Sequence, residues 1–198
     1  MKRTICLLAL VAALGGCQLF KKGTGTTSGS GTSKVEKRSV SGFTSVDLSG
    51  AFEVEITVQQ EPGLEIEGDD NLLPLVRTEV NNGVLEVFNQ KSFSTKNAIR
   101  VRISVPQLDA VSTSGASDIV VTGVKSDEFN ISTSGAGSLK VSGEAKMFAL
   151  EMSGAGEVDA KELRSERVTV NSSGAAEATV YASQDLSVSA SGAGTVNY

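Results

Sequence analysis

The sequence predicts an all-β protein whose C-terminal half winds as a parallel, solenoid-like β-helix, continuous with a β-rich N-terminal half. Three observations carry that prediction. Ser-Gly-Ala occurs six times, and the last five copies begin at Ser114, Ser134, Ser153, Ser173 and Ser191, with steps of 20, 19, 20 and 18 residues. A period near 20 is too short for a helix pair and fits one coil of a solenoid. Apolar and polar residues alternate with period two over most of the chain. Helix signals are scarce: the best is Asp70-Asn71-Leu72-Leu73-Pro74, where Asp70 would cap a short turn and Pro74 would sit in its first turn.

Residues 1–16 read as an export signal, with Lys2 and Arg3 ahead of a short apolar run from Ile5 to Leu14. The run is too short to span a bilayer as a helix. Leu14-Gly15-Gly16-Cys17 follows and resembles a bacterial lipobox. The only other cysteine, Cys6, lies inside the signal, so Cys17 has no disulfide partner in the mature chain. Acylation of Cys17 gives that thiol a use and anchors the protein to a membrane without a spanning helix. Gln18 stands where Asp would retain a lipoprotein at the inner membrane, which favours the outer one. Residues 17–34 then form the lipidated cysteine and a Gly/Ser/Thr linker, a tether with a reach of about 20 Å.

The body is expected over 35–198, with a strand-rich half at 35–107 and coils of about 20 residues at 108–198. In the first half, Phe52, Val54, Ile56 and Val58 share one strand face. Leu64 to Glu67 continues the alternation after Pro62-Gly63, and Asn82-Gly83 between apolar runs signals a hairpin. Arg100 to Val105 alternates charged and apolar residues.

In the second half the repeat sets apolar columns. Three residues before each corner serine stand Val111, Ile131, Leu150, Val170 and Val188; five before stand Asp109, Phe129, Phe148, Val168 and Leu186. Three residues past each corner alanine come Ile119, Leu139, Val158, Ala178 and Val196; five past come Val121, Val141, Ala160, Val180 and Tyr198. Asp109 breaks its column, and a shift to Leu108 through a bulge would repair it. Stacked coils need a small corner, so the glycine is expected to take a conformation closed to other residues, the alanine to point into the corner, and the serines to align.

These features together resemble the bacterial head GIN domain family of auto-transporter adhesin heads. The resemblance rests on Gly42-Phe43, on Val46 to Val54, on Asp69-Asp70-Asn71-Leu72-Leu73, on Asn82-Gly83-Val84-Leu85 and on the recurring Ser-Gly-Ala corners. It implies a right-handed, helix-wound, all-β head on an exported lipoprotein of the Gram-negative envelope, with no family catalytic residues.

Composition narrows the function. The net charge is −5, and the signal would remove two cations, so a broad nucleic-acid surface is disfavoured. There is no His, which excludes His-based acid–base catalysis and His metal ligation. Asp69 and Asp70 with Glu65 and Glu67 form the densest acidic cluster, but lack a calcium-loop spacing and read as solvated strand charges plus a helix cap. No cofactor or metal is called for. A carbohydrate-active enzyme would need paired acids beside stacking aromatics; Trp is absent, Tyr181 and Tyr198 are the only tyrosines, and Glu157, Asp159 and Glu177 fall one or two to a coil. The expectation is a non-catalytic envelope binding head or adhesin that meets a glycan or an envelope protein, with a periplasm-facing structural role as the alternative. Aligned Ser132, Ser134, Ser172, Ser173, Ser189 and Ser191 are candidate contact rows. The last coil has no polar cap, so Leu186, Val188, Val196 and Tyr198 are expected to form an open end that a second copy covers.

Overall fold

The computed structural model describes residues 26–198. Cys17 and the signal lie outside the described residues. Among the described residues there are fifteen strands and one short 3-10 turn. β1 (Thr27–Ser28), β2 (Ser33–Arg38), β3 (Ser45–Gly50), β4 (Glu53–Val58) and β5 (Gly63–Asp69) precede the turn at Leu73–Leu75. β6 (Val76–Asn81), β7 (Val84–Asn89), β8 (Phe93–Ser94), β9 (Arg100–Val105) and β10 (Ala110–Gly115) follow. The last five are β11 (Asp118–Gly135), β12 (Ser138–Gly154), β13 (Glu157–Gly174), β14 (Glu177–Gly192) and β15 (Thr195–Asn197).

Thirteen of these strands form one curled sheet. The long strands β11 to β14 each start after one corner and run on to the next, pairing in parallel with the coils on either side. Three of the predicted columns run in register; the fourth is interrupted between Val141 and Ala160 by the shift after Lys140, and its expected last member, Tyr198, is 91 % exposed. Leu85, Val46, Val111, Ile131, Leu150, Val170 and Val188 are register partners in succession. The first six are at most 1 % exposed. A second column runs through Val101, Val54, Ile119, Leu139, Val158, Ala178 and Val196. In a third, Phe129 and Phe148 stack with ring centroids 6.2 Å apart. Like residues pile on like because every coil repeats the inside-outside pattern of the one beneath it.

Leu108 is fully buried and Asp109 is half-buried, so the apolar side chain at this break is Leu108, with no bulge between β10 and β11. Asp109 keeps its backbone in the ladder, donating to the Thr44 carbonyl and accepting from Asn130. Its carboxylate accepts from Gln107 and Ser126 at the surface.

The N-terminal half is less separate than the spacing suggested. The first Ser-Gly-Ala, at Ser49, lies 65 residues before the next, yet β3 pairs with β10 from Ser45↔Ala110 to Gly50↔Gly115. β4 pairs likewise with β11. Residues 45–58 are therefore a coil of the same stack, and β7 and β9 supply a further rung beyond it. One buried apolar cluster runs through both halves.

Beyond the β7/β9 rung the pairing turns antiparallel. β6 and β7 form the hairpin that Asn-Gly signalled, with Asn82 and Gly83 at φ +51° and +80°. On the other side β5 pairs antiparallel with β9, and β2 with β5. Arg38 ties the two margins together, donating to the carbonyls of Leu73 and Val76 and to Thr78 Oγ1.

The sequence reading began the body at Val35, but pairing is present earlier. β1 pairs in parallel with β8, and β2 starts at Ser33. Ser30 donates through its backbone to Asn71 and through its hydroxyl to Asp70. Nothing apolar marks this segment; hydrogen bonds alone hold it. Asp70 is thus engaged by Ser30 and gives the Leu73–Leu75 turn no side-chain cap, while Pro74 does sit at its start.

Candidate functional site

The corner glycines explain why the serines align. Gly50, Gly115, Gly135, Gly154, Gly174 and Gly192 all have φ between +117° and +157°. Each of the last five packs over the glycine below, so closely that a Cβ would strike that residue's carbonyl oxygen. That carbonyl accepts the N–H of the alanine in the next coil: Ala116 to Gly50, Ala136 to Gly115, Ala155 to Gly135, Ala175 to Gly154, Ala193 to Gly174. The ladder thus passes through the corner unbroken. The alanines face solvent, contrary to expectation. The inward corner position is the next residue, where Phe52, Ser117 and Ala176 are buried. The positive-φ glycine turns the chain one residue later than the alternation implied.

With the backbone stacked, two polar rows stand on the outer face. One is Ser49, Ser114, Ser134, Ser153, Ser173 and Ser191. The other lies two residues earlier: Asp47, Ser112, Ser132, Glu151, Asn171 and Ser189. Within each row the repeat is about 4.8 Å, the strand spacing. Ser49 and Ser114 share a hydrogen bond of 2.9 Å.

All six serines singled out in the sequence line one shallow depression of about 370 Å³, with Glu151, Met152 and Asn171. Five of the six are exposed. Ser172 is buried and belongs to the inward column above Met152. Of the second row only Ser132 and Ser189 were singled out; counting two residues back from each corner serine also finds Asp47, Ser112, Glu151 and Asn171. Glu151 is the one ionisable side chain in the lining, and no aromatic ring is there. The surface can donate and accept many hydrogen bonds to a repetitive ligand, but has no ring to stack on one.

A second groove, of about 650 Å³, lies on the bend after Gly123 and its successors and is lined by Lys125, Glu144, Arg164, Asp127, Lys146 and Glu166 among others. Lys125, Glu144 and Arg164 are register partners, so charge alternates up the stack. Lys146 pairs with Asp127 at 2.7 Å, a hydrogen bond that holds the ammonium pKa above its ordinary value. The groove largely neutralises itself.

The acidic candidates do not converge on chemistry. The Asp69 carboxylate accepts from Thr95 Oγ1 at 2.7 Å and Asn97 Nδ2 at 2.8 Å. The Thr95 and then the Asn97 hydrogen bonds hold its pKa below the usual carboxylate value. Asp69 is a staple joining β5 to the segment after β8. Glu65 and Glu67 pair with Arg102 at 2.9 and 3.4 Å, as a charged strand face should. Arg102 also meets Glu55, and Arg100 meets Glu53. Glu157 and Glu177 stand on adjacent coils, and Asp159 pairs with Lys161 at 3.1 Å. Strands β9, β4, β11 and β12 separate Asp69 on β5 from Glu157 on β13. Five strand spacings amount to roughly 24 Å, well beyond a glycosidase pair. Among the described residues no group of three potential ligands forms a metal site. No helix among them is long and apolar enough to cross a membrane.

Comparison with known proteins gives one consistent answer. No curated protein matches the chain. A putative adhesin from Bacteroides fragilis superposes with TM-score 0.62 at 21 % identity, over 86 % of this chain and 98 % of its own. A second putative adhesin, from Parabacteroides merdae, gives 0.56 at 19 % over 87 % and 98 %. A protein from Parabacteroides distasonis titled "putative lipid binding protein" gives 0.53 at 16 % over 87 % and 99 %. At these identities the likeness shows the fold. The family model "Putative auto-transporter adhesin, head GIN domain" matches residues 42–198, from the first rung of the stack to its last, and the chain belongs to that family.

Proposed function

We propose that this protein is a non-catalytic lipoprotein of the cell envelope, an adhesin head that binds a glycan or an envelope protein through its two outward polar rows. The family description supports an adhesin and a cell-envelope address. The observation that carries the reading is the register of the rows: hydroxyl, carboxylate and amide groups recur coil after coil at one spacing. A glycan chain is itself a repeat of hydroxyls and can meet several coils at once, so weak contacts add up. Cys17 would carry the lipid, favouring the outer membrane.

The full chain, screened against glycans and envelope proteins, should bind a linear polymer more tightly than its monomer unit. Ser153→Arg and Ser173→Arg, placed in the middle of the row, should weaken that binding at least tenfold and leave folding unchanged. Binding that survives both substitutions overturns the reading. Protease shaving of intact cells separates a surface adhesin from a periplasm-facing structural protein, since an inward-facing head escapes digestion.

A further inference from the structure

The two ends of the stack are finished differently. At the first end the outermost strands carry charge: Lys34, Glu36, Lys37 and Arg38 on β2, and Arg77 and Glu79 on β6. Charged side chains, lysines above all, are how proteins keep sheet edges from pairing with other chains. The last coil has no such guard. From Glu177 to Tyr198 the only charged side chains are Glu177 and Asp185, whereas β13 carries seven. β14 pairs with β13 on one side, and β15 covers only Glu177–Thr179 on the other. Among the described residues Asp185–Gly192 therefore has a free backbone edge. An apolar column surfaces there: Val170 is fully buried while Val188 above it is 44 % exposed.

We infer that the β14 edge pairs with the β14 edge of a second copy, antiparallel about a two-fold axis near Ser187. The strand is self-complementary in that arrangement. Leu186 falls opposite Val188 on the dry face and Asp185 falls opposite Ser189, so no like charges meet. Pairing extends the sheet and brings the two open cores end to end. Only Asp185 is charged along the free segment, so little charge has to be brought together by the pairing. The charged β2 and β6 edges block a head-to-tail filament, which leaves the closed two-fold contact. The inference is independent of what the serine rows bind.

Sedimentation velocity on the full chain in detergent should show a dimer at tens of micromolar. Val188→Lys puts a guard on the edge and should weaken the dimer at least tenfold. Because that change could loosen the last coil, Ser187→Cys supplies a second measurement. A short bismaleimide should crosslink it to a dimer, and Ser39→Cys at the first end should stay monomeric. A monomer throughout the concentration series, a dimer indifferent to Val188→Lys, or equal crosslinking at both positions would each overturn the inference.

Discussion

The first end of the stack and its last coil show two ways to finish a repetitive fold. Leu85 and Val188 belong to one column, yet the former is fully buried and the latter nearly half exposed. The difference lies in what stands beyond them. Past Leu85 the chain folds back as an antiparallel hairpin, with Val80 and then charged neighbours. Past Val188 no strand follows among the described residues. A parallel stack cannot end itself, because each coil offers its neighbour the same unsatisfied edge that it was given. Reversing strand direction solves the problem at one end, and it took an insertion of some 50 residues between two adjacent rungs to do so.

That contrast can be broken most forcefully at a corner. Gly154→Val sets a branched Cβ against the Gly135 carbonyl at a positive φ. It should cost about 3 kcal/mol or more and unfold the later coils, read as lost strand signal in circular dichroism. Next comes the column itself. Leu85→Ala should cost roughly 2–5 kcal/mol in urea unfolding, while Val188→Ala, half in water already, should cost less than about 1 kcal/mol. Equal losses would mean that the last coil is as well covered as the first. Arg38→Ala removes the link between the β2 and β6 margins and should cost about 1–3 kcal/mol. Its signature is faster amide exchange in β2 and β6, with β13 unchanged.

Acid gives the smallest and most local effect. The Asp69 pKa is depressed, so its contribution is complete above the usual carboxylate range and is lost as the pH falls through the lowered value. Amide exchange around residues 27–31 and 93–97 should rise there before the coils respond. Exchange that rises equally in β12 would show that the staple is not local.

What the sequence disclosed follows from where its signals live. The columns through Ile131, Leu150 and Val170 were legible because alternation and period are both local and repeated, and so was the hairpin at Asn82-Gly83. The place of Ser49 in the stack was hidden, since counting from corner to corner fails across an insertion. The direction of the corner alanines depended on the glycine φ, which composition does not report. The Ser28–Ser30 contacts join residues 40 to 43 apart and the Asp69 contacts residues 26 and 28 apart, all through polar atoms, and no periodicity marks such a pairing. Of the candidate site, serines from both rows could be read, but Asp47, Glu151 and Asn171 could not, because they share an orientation with Ser132 and Ser189 but not a residue type.

One consequence of the corner glycines concerns length. At the corners each coil meets the backbone of the glycine directly beneath it, in the same register from Gly115 to Gly192. Duplicating or deleting one complete turn of about 20 residues keeps the corner junctions in register and moves the far tip by about 4.8 Å. The length of such a stack is therefore set by a whole number of turns, which a single recombination event can raise or lower.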